Sequence, residues 1–324
     1  MHLTLLVFGL LLPEAILEPT VYDLHAPALS KLLGRGRRRT LPDDALAHLF
    51  GLDSLPAAAL RRLGAGKAAP DEWLCLDPVR WQVGARGVTL DDPARLALNE
   101  EESAALLEAV QPLFADWGEL SASAPGHWEL HLTRPLSLQT VPLPAAIHQP
   151  IDPDLPGGND GLTWRRRIAE AQTILFAHPV NRRREEANLP TANSLWPWGQ
   201  GRLPESPPTG FSAVCSDDPV VIGLCRHAGI ARRQVPERFD PGEGNILVTL
   251  DSLAHPARSL DALRWREALT RLERDWLAPA LEYCAELIVI GTRLTQAPAA
   301  VAYEWRRRDH WRLWRSLPAL TELK

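Results

Sequence analysis

The four cysteines of this chain, Cys75, Cys215, Cys225 and Cys284, lack any C-x-x-C spacing, and no Cys/His cluster of zinc-site spacing surrounds them. That excludes a zinc ribbon and dithiol chemistry and leaves reduced, mostly buried thiols. Excess positive charge is missing too. The formal net charge is -5, so the surface as a whole is not built for nucleic acid or anionic membrane. No internal repeat is visible, which excludes a solenoid. No apolar run approaches the roughly 20 residues that span a bilayer. The run Leu3 to Leu12 has signal-peptide length but lacks its flanks: no Lys or Arg precedes it, and no A-x-A-like site follows before Pro13-Glu14. It reads as a buried first strand of a parallel sheet, which shows as a continuous apolar run. A cytoplasmic location follows as the expectation.

What is present is enough for a sizeable core. With 324 residues, 45% hydrophobic and 23% charged, the chain collapses into two domains or one large α/β domain with an insert, and 29 prolines imply many rigid connections. A short helix around Pro27 to Leu33 leads into an Arg-rich loop, and a second helix covers Asp43 to Phe50. A compact unit follows: a strand near Trp73 to Trp81, a short strand at Val88 to Leu90, a helix opened by Asn99 and Glu102 in a capping pattern, and a returning strand at Glu129 to Leu132. Residues 135–161 are rich in Pro, Gly and Asp and read as a linker. The later chain alternates as a doubly wound sheet does: helices at Thr163 to Ala177, Pro219 to His227 and Leu260 to Trp276, with strands at Ile246 to Leu250 and Leu287 to Ile290. Leu260, Leu263, Leu269, Leu272 and Trp276 follow helical period and are expected in the core. The fold class is therefore α/β, with a doubly wound core at 1–70 and 135–324 and an inserted α+β domain at 71–134.

Four arginine clusters stand out: Arg35 with Arg37 to Arg39, Arg165 to Arg167, Arg182 to Arg184, and Arg306 to Arg308. Each reads either as solvated surface or as part of an anion pocket.

The most informative stretch is His178-Pro-Val-Asn-Arg-Arg-Arg, continuing through Pro190-Thr-Ala-Asn193 to Trp196-Pro-Trp198-Gly-Gln-Gly201. It resembles the signature H-P-[IV]-N-x-x-R…P-x-N-x-x-W-x-W-G-x-G of the archaeal-type, cofactor-independent phosphoglycerate mutases. The resemblance continues through Phe211 to Ile230, and more weakly through Asp77-Pro78-Val79 and the Glu-rich helix that follows. The resemblance implies an alkaline-phosphatase-like core with an inserted domain, acting on 2- and 3-phosphoglycerate through a phosphoserine and two divalent metals, usually manganese. In that setting Asn181, Arg182, Asn193, Trp196, Trp198, Gly199 and Gly201 form a candidate ligand-binding set: Asn193, Arg182 and the backbone at the two glycines supply donors to an anion, and the Trp-Pro-Trp corner stiffens the loop. From the residues alone, the tryptophans read equally as core and the asparagines as turn formers.

The chain departs from the family where the chemistry is done. Metal-assisted phosphoryl transfer needs hard ligands around two ions and an in-line nucleophile. Family members carry a metal-binding Asp just after the first strand; here Val7-Phe8-Gly9-Leu10-Leu11 stands in its place. The nucleophilic serine has Thr40-Leu41-Pro42-Asp43-Asp44 as its nearest counterpart, with proline at the serine position and Thr40 the only substitute, two residues away. Asp251 and His255 keep a D-x-x-x-H metal spacing, which serves equally for turn and surface groups. The family's later Asp-His-Ser-Thr-Pro segment has no counterpart, since Asp309-His310 resembles it in spelling only.

The expectation is a catalytically degenerate homologue, similar to the bacterial regulatory proteins of the RpfE type, with no cofactor, that binds a phosphorylated small molecule or a regulatory protein partner and no membrane. Two alternatives stay open. One is a working mutase or phosphatase that uses manganese or another divalent metal. The other, disfavoured by the net charge, is a nucleic-acid or anionic-polymer binder using the arginine clusters with Trp305, Trp311 and Trp314.

Overall fold

The computed structural model describes residues 1–84, 87–152, 155–205, 209–294, 299–312 and 314–323. Among them thirteen strands form: β1 (His2–Phe8), β2 (Arg37–Leu41), β3 (Glu72–Val79), β4 (Trp81–Gly84), β5 (Gly87–Leu90), β6 (Gly118–Ala124), β7 (His127–Leu132), β8 (Ser194–Gly201), β9 (Ala213–Cys215), β10 (Ala231–Arg233), β11 (Asn245–Leu250), β12 (Glu286–Arg293) and β13 (Ala299–Arg306). They divide between two compact units. The first comprises Met1–Ser54, Ser206–Asp218 and Ala228–Lys324, and the second Leu55–Glu205 with Pro219–His227. The second unit thus contains 71–134 and extends beyond it on both sides.

The first unit is built on a seven-stranded sheet in the order β10-β9-β11-β1-β12-β13-β2. Its first five strands run parallel, and the last two pair antiparallel at one edge. β1 lies between β11 and β12, covered on both faces, which is why its sequence is apolar at successive positions rather than at alternate ones. One face packs Leu3, Leu5 and Val7 with Ile246, Val248, Leu287 and Val289 against Trp265, Leu269, Leu272 and Trp276. The helix carrying those residues begins at Ala262, and two expected core leucines are not in the core. Leu260 closes the preceding helix in a left-handed conformation, and both it and Leu263 are exposed. The expected Arg-rich loop at Arg37 to Arg39 is instead edge strand β2, whose side chains are exposed up to Leu41.

The second unit has a four-stranded antiparallel sheet, β6-β7-β3-β8, and a separate β4-β5 hairpin. One face carries Leu74, Leu76, Leu130 and Leu132 against the helices Glu100–Val110 and Gly161–Ala177. Alternation sends Trp73, Cys75, Asp77 and Val79 of β3 to the other face, where the helix Ala57–Gly64 packs. The capping box of Asn99 and Glu102 is formed, and it fixes where the 100–110 helix starts. The four cysteines are buried and unpaired with one another. No helix among the described residues is long and apolar enough to cross a membrane.

Candidate functional site

In an open parallel sheet, ligands bind beyond the carboxyl ends of the strands. In the first unit that edge collects Gly9, Ser216, Asp251 and Thr292 from β1, β9, β11 and β12, and the exposed Thr40 near the end of β2. Beyond β1 the space is filled. Gly9 has φ +79°, and a Cβ built there lies 2.6 Å from the Leu253 carbonyl oxygen and 2.9 Å from the Ala257 Cβ. Leu10, Leu11 and Leu12 are all buried, the first two against Gly291. The backbone of Gly9 is tied on both sides, its N–H donating to Thr292 Oγ1 (3.3 Å) and its carbonyl accepting from Trp265 Nε1 (2.8 Å).

The remaining polar groups do not converge. Thr249 Oγ1 donates to Ser216 Oγ (2.7 Å), and that oxygen also accepts from Asp218 N–H, so this buried hydroxyl pair is satisfied internally. Asp251 and His255 are exposed at the start of the short helix Ala254–Ser259. Thr40 is on β2, four strands from β11, which places it about 19 Å from Asp251 at about 4.8 Å per strand. Asp44 is committed to capping the Ala45–Leu49 helix through Ala47 N–H, and burial raises its pKa above the usual carboxylate value against the pull of that bond. Among the described residues no group of three or more His, Cys, Asp or Glu converges as metal ligands would. These residues do not fit two hard cations and an in-line nucleophile, whose reacting atoms must sit within about 3–3.5 Å.

The signature lies wholly in the second unit, where its side chains bond to the protein's own backbone. His178 Nδ1 accepts from Val180 N–H and caps the helix Pro179–Glu186, with Pro179 in its first turn; burial, then Arg183, lowers the imidazole pKa. Buried Asn181 donates to the carbonyls of Leu175 and Ala192 (2.7 Å each) and accepts from Ala192 N–H. Asn193 accepts from Trp81 N–H (2.7 Å) and donates to Trp81 O (2.9 Å), closing the two ends of one residue's backbone. Arg184, 4% exposed, donates to Glu102 Oε2 (2.6 Å) and to the carbonyls of Pro190 and Leu96, joining the helix pair to the capping box. Arg182, by contrast, is exposed.

Trp196 and Trp198 are buried, and their indole N–H groups donate to Val141 O (2.9 Å) and Asp77 Oδ2 (2.8 Å). Gly199 and Gly201 let the 57–64 helix approach β8: added Cβ atoms meet Ala57 Cβ at 2.7 Å and Pro56 Cβ at 2.9 Å.

The centre of this packing is a buried charge network that sequence reading did not find. Arg61 makes a two-pronged bond to Asp77 (2.8 Å twice), a third to Glu129 Oε1 (2.6 Å) and a fourth to Trp128 O. Asp77 also accepts from Trp128 N–H and Trp198 Nε1, and Glu129 accepts from Ser123 Oγ. Burial pushes the Glu129 carboxyl up, against Arg61 and Ser123, and raises the Cys75 thiol well above its usual value. Arg62 stacks over Trp73 at 3.7 Å and donates to Ser121. The available signal was a pair of arginines in the otherwise apolar Ala57-Ala-Ala-Leu-Arg-Arg-Leu helix, with acidic residues at inward-facing strand positions.

No family model matches the chain. Over 87 residues it is 43% identical to the 2,3-bisphosphoglycerate-independent phosphoglycerate mutase of Methanosarcina barkeri, a match covering 25% of this chain and 21% of that protein. The match thus spans about a fifth of the relative's length. Among solved structures, the cofactor-independent phosphoglycerate mutase of Thermoplasma acidophilum aligns with 94% of this chain and 90% of its own, at 18% identity and a TM-score of 0.42. A protein of Pyrococcus horikoshii aligns over 96% and 92%, at 14% identity and a TM-score of 0.49.

Proposed function

We propose that the chain is a degenerate homologue of the cofactor-independent phosphoglycerate mutases, with a regulatory or phosphometabolite-binding role of the RpfE kind in the cytoplasm in place of mutase turnover. The observation that carries this reading is the carboxyl edge of the first sheet. Buried Leu10, Leu11 and Leu12 follow β1 there, and Gly9 has no room for a side chain. The similarity over a quarter of the chain supports descent from a mutase, and the signature positions support the packing of the second unit. Manganese enters no step of this reading, because the described first-unit residues do not bring three or more ligand side chains together. A phosphorylated ligand would find Arg182 exposed and, among the described residues, with no side-chain bond to a backbone carbonyl, unlike Arg184.

The test is interconversion of 3- and 2-phosphoglycerate by the purified full chain with manganese, alongside calorimetric titration of the metal-free protein with manganese in the presence and absence of 3-phosphoglycerate. The expected result is no turnover and no pair of micromolar metal sites. Robust turnover abolished by Asp251→Ala would overturn the proposal in favour of an active enzyme.

A further inference from the structure

Independently of the mutase relationship, we propose that the segment after β13, together with the start of β2, is a binding surface for single-stranded nucleic acid. Of the arginine clusters, this one is joined to its neighbour by the fold. Arg35 donates to His310 O (3.1 Å), Arg312 donates back to Arg35 O (2.8 Å), and Gly34 packs on Ser316 and Pro318. Residues 307–312 and 314–316 are thereby fixed beside Arg37, the first residue of β2. Arg37, Arg307, Arg308 and Arg315 are exposed, and none has an ion pair to a carboxylate among the described residues. Asp309, the acidic residue in their midst, is buried, accepts from Arg306 N–H and pairs with Arg312, so it does not cancel their charge.

The same turn exposes two indoles. Trp311 is 73% and Trp314 79% exposed, whereas Trp128, Trp164, Trp265 and Trp305 are fully buried. Exposed tryptophan within a turn that already has its backbone bonds contributes nothing to the core and leaves a large flat apolar face in water. Guanidinium groups bind phosphates by paired hydrogen bonds, and indole faces stack on bases of any sequence. An acidic polypeptide would answer the charges but leave the two flat faces uncovered. A stacked single strand answers both, which is why it is favoured. Trp305, which sequence reading grouped with these residues, belongs to the sheet core and has no part in the surface. The net charge of -5 does not oppose a local patch, because charges farther than about 8 Å are screened at physiological salt.

The experiment uses the full chain and a fluorescein-labelled 15-nucleotide oligothymidylate, with anisotropy read across a salt series. Four phosphate contacts predict that log affinity falls with log salt with a slope of about -3. Trp311→Ala with Trp314→Ala is expected to weaken binding about tenfold or more, and Arg307→Ala with Arg308→Ala to reduce the slope by about 1.4. All four positions are exposed, and an unchanged thermal midpoint verifies that each variant is folded. Quenching of tryptophan fluorescence by the oligonucleotide, lost in the double tryptophan variant, is a second readout. Absence of binding at 50 mM salt, or binding indifferent to the tryptophans, overturns the proposal. So does equal, tryptophan-dependent binding of polyglutamate or of vesicles with one-third phosphatidylserine, which would assign the surface to an acidic protein or a membrane.

Discussion

Replacing Asp77 by asparagine changes side-chain volume hardly at all, yet it strikes the most connected group in the second unit. Asp77 is 1% exposed and accepts four hydrogen bonds: two from Arg61, one from Trp128 N–H and one from Trp198 Nε1. An amide has a single acceptor oxygen, so in either orientation its NH2 faces the guanidinium together with Trp128 N–H or the Trp198 indole. Arg61, itself 4% exposed, then retains only Glu129 as a counter-charge. Removing one partner of a buried ion pair costs about 3–5 kcal/mol, because the charge left behind cannot return to water. Against a typical domain stability of about 5–15 kcal/mol this is a large fraction. With a urea dependence of roughly 2 kcal/mol per molar, the unfolding midpoint drops by about 2 M. Tryptophan fluorescence is the natural probe, since Trp128 and Trp198 both touch the network. A cycle with Arg61→Met should be strongly non-additive, the double variant costing less than the two single costs combined. A loss below about 1 kcal/mol for Asp77→Asn, or strict additivity, would refute the claim that these charges form one desolvated unit.

Four further outcomes follow from the same packing. Arg184→Ala should cost about 3 kcal/mol by urea unfolding, since it removes the partner of half-buried Glu102 and strands two carbonyls, while the nearby exposed Arg182→Ala should stay within about 0.5 kcal/mol. Gly199→Ala, at φ +62° and with a Cβ 2.7 Å from that of Ala57, should destabilise by about 1–3 kcal/mol in thermal melts. Glu273→Ala removes the carboxylate that accepts from Ala28 and Leu29 N–H at the start of the Pro27–Arg35 helix, and should cost about 1–2 kcal/mol, measured by urea unfolding. Burial raises the Glu129 pKa above 4.5, so its contribution is fully present below the unfolded value and is lost as pH rises through the folded one; stability should therefore gain from this group on acidification from neutral pH, and Glu129→Gln should remove that gain, with unfolding midpoints across pH as the measure.

Much of the first unit was legible because its parallel strands are buried on both faces and its helices have period. β1 and β11 are short apolar runs, and the 100–110 helix of the second unit announces its start with a capping box. β2 was hidden because an edge strand has one neighbour and, here, only Leu41 turned to the core, so Arg37-Arg-Arg reads as a loop. β8 was hidden by Pro197 and two glycines. Proline is tolerated there because β8 is the outer strand of its sheet. The helical period continued through Leu260 and Leu263, although a left-handed cap at Leu260 breaks the helix there and Leu263 lies on the exposed side of the helix that begins at Ala262. The charge network could not be read from local pattern, because Arg61 meets Asp77 sixteen residues away and Glu129 sixty-eight away, and neither pairing leaves a periodic trace.

The signature that prompted the resemblance and the positions that fail to match it differ in what their loss costs. Buried Asn181, which bonds two backbone carbonyls, or a carboxylate that neutralises Arg61, cannot be exchanged without stranding partners worth about 1–3 kcal/mol each. Metal ligands at an open sheet edge carry the opposite sign. Without the ion, clustered carboxylates repel one another and hold water, and burying a leucine instead gains about 1.5–3 kcal/mol. On the proposed reading, a chain freed from turnover keeps the first set and sheds the second, which would account for buried Leu10 and Leu11 where the family resemblance implies a metal-binding Asp. On this argument the Asn, Trp and Gly spacing reports how the second unit is built, and identifies a mutase only when the edge of the first sheet supplies its ligands as well.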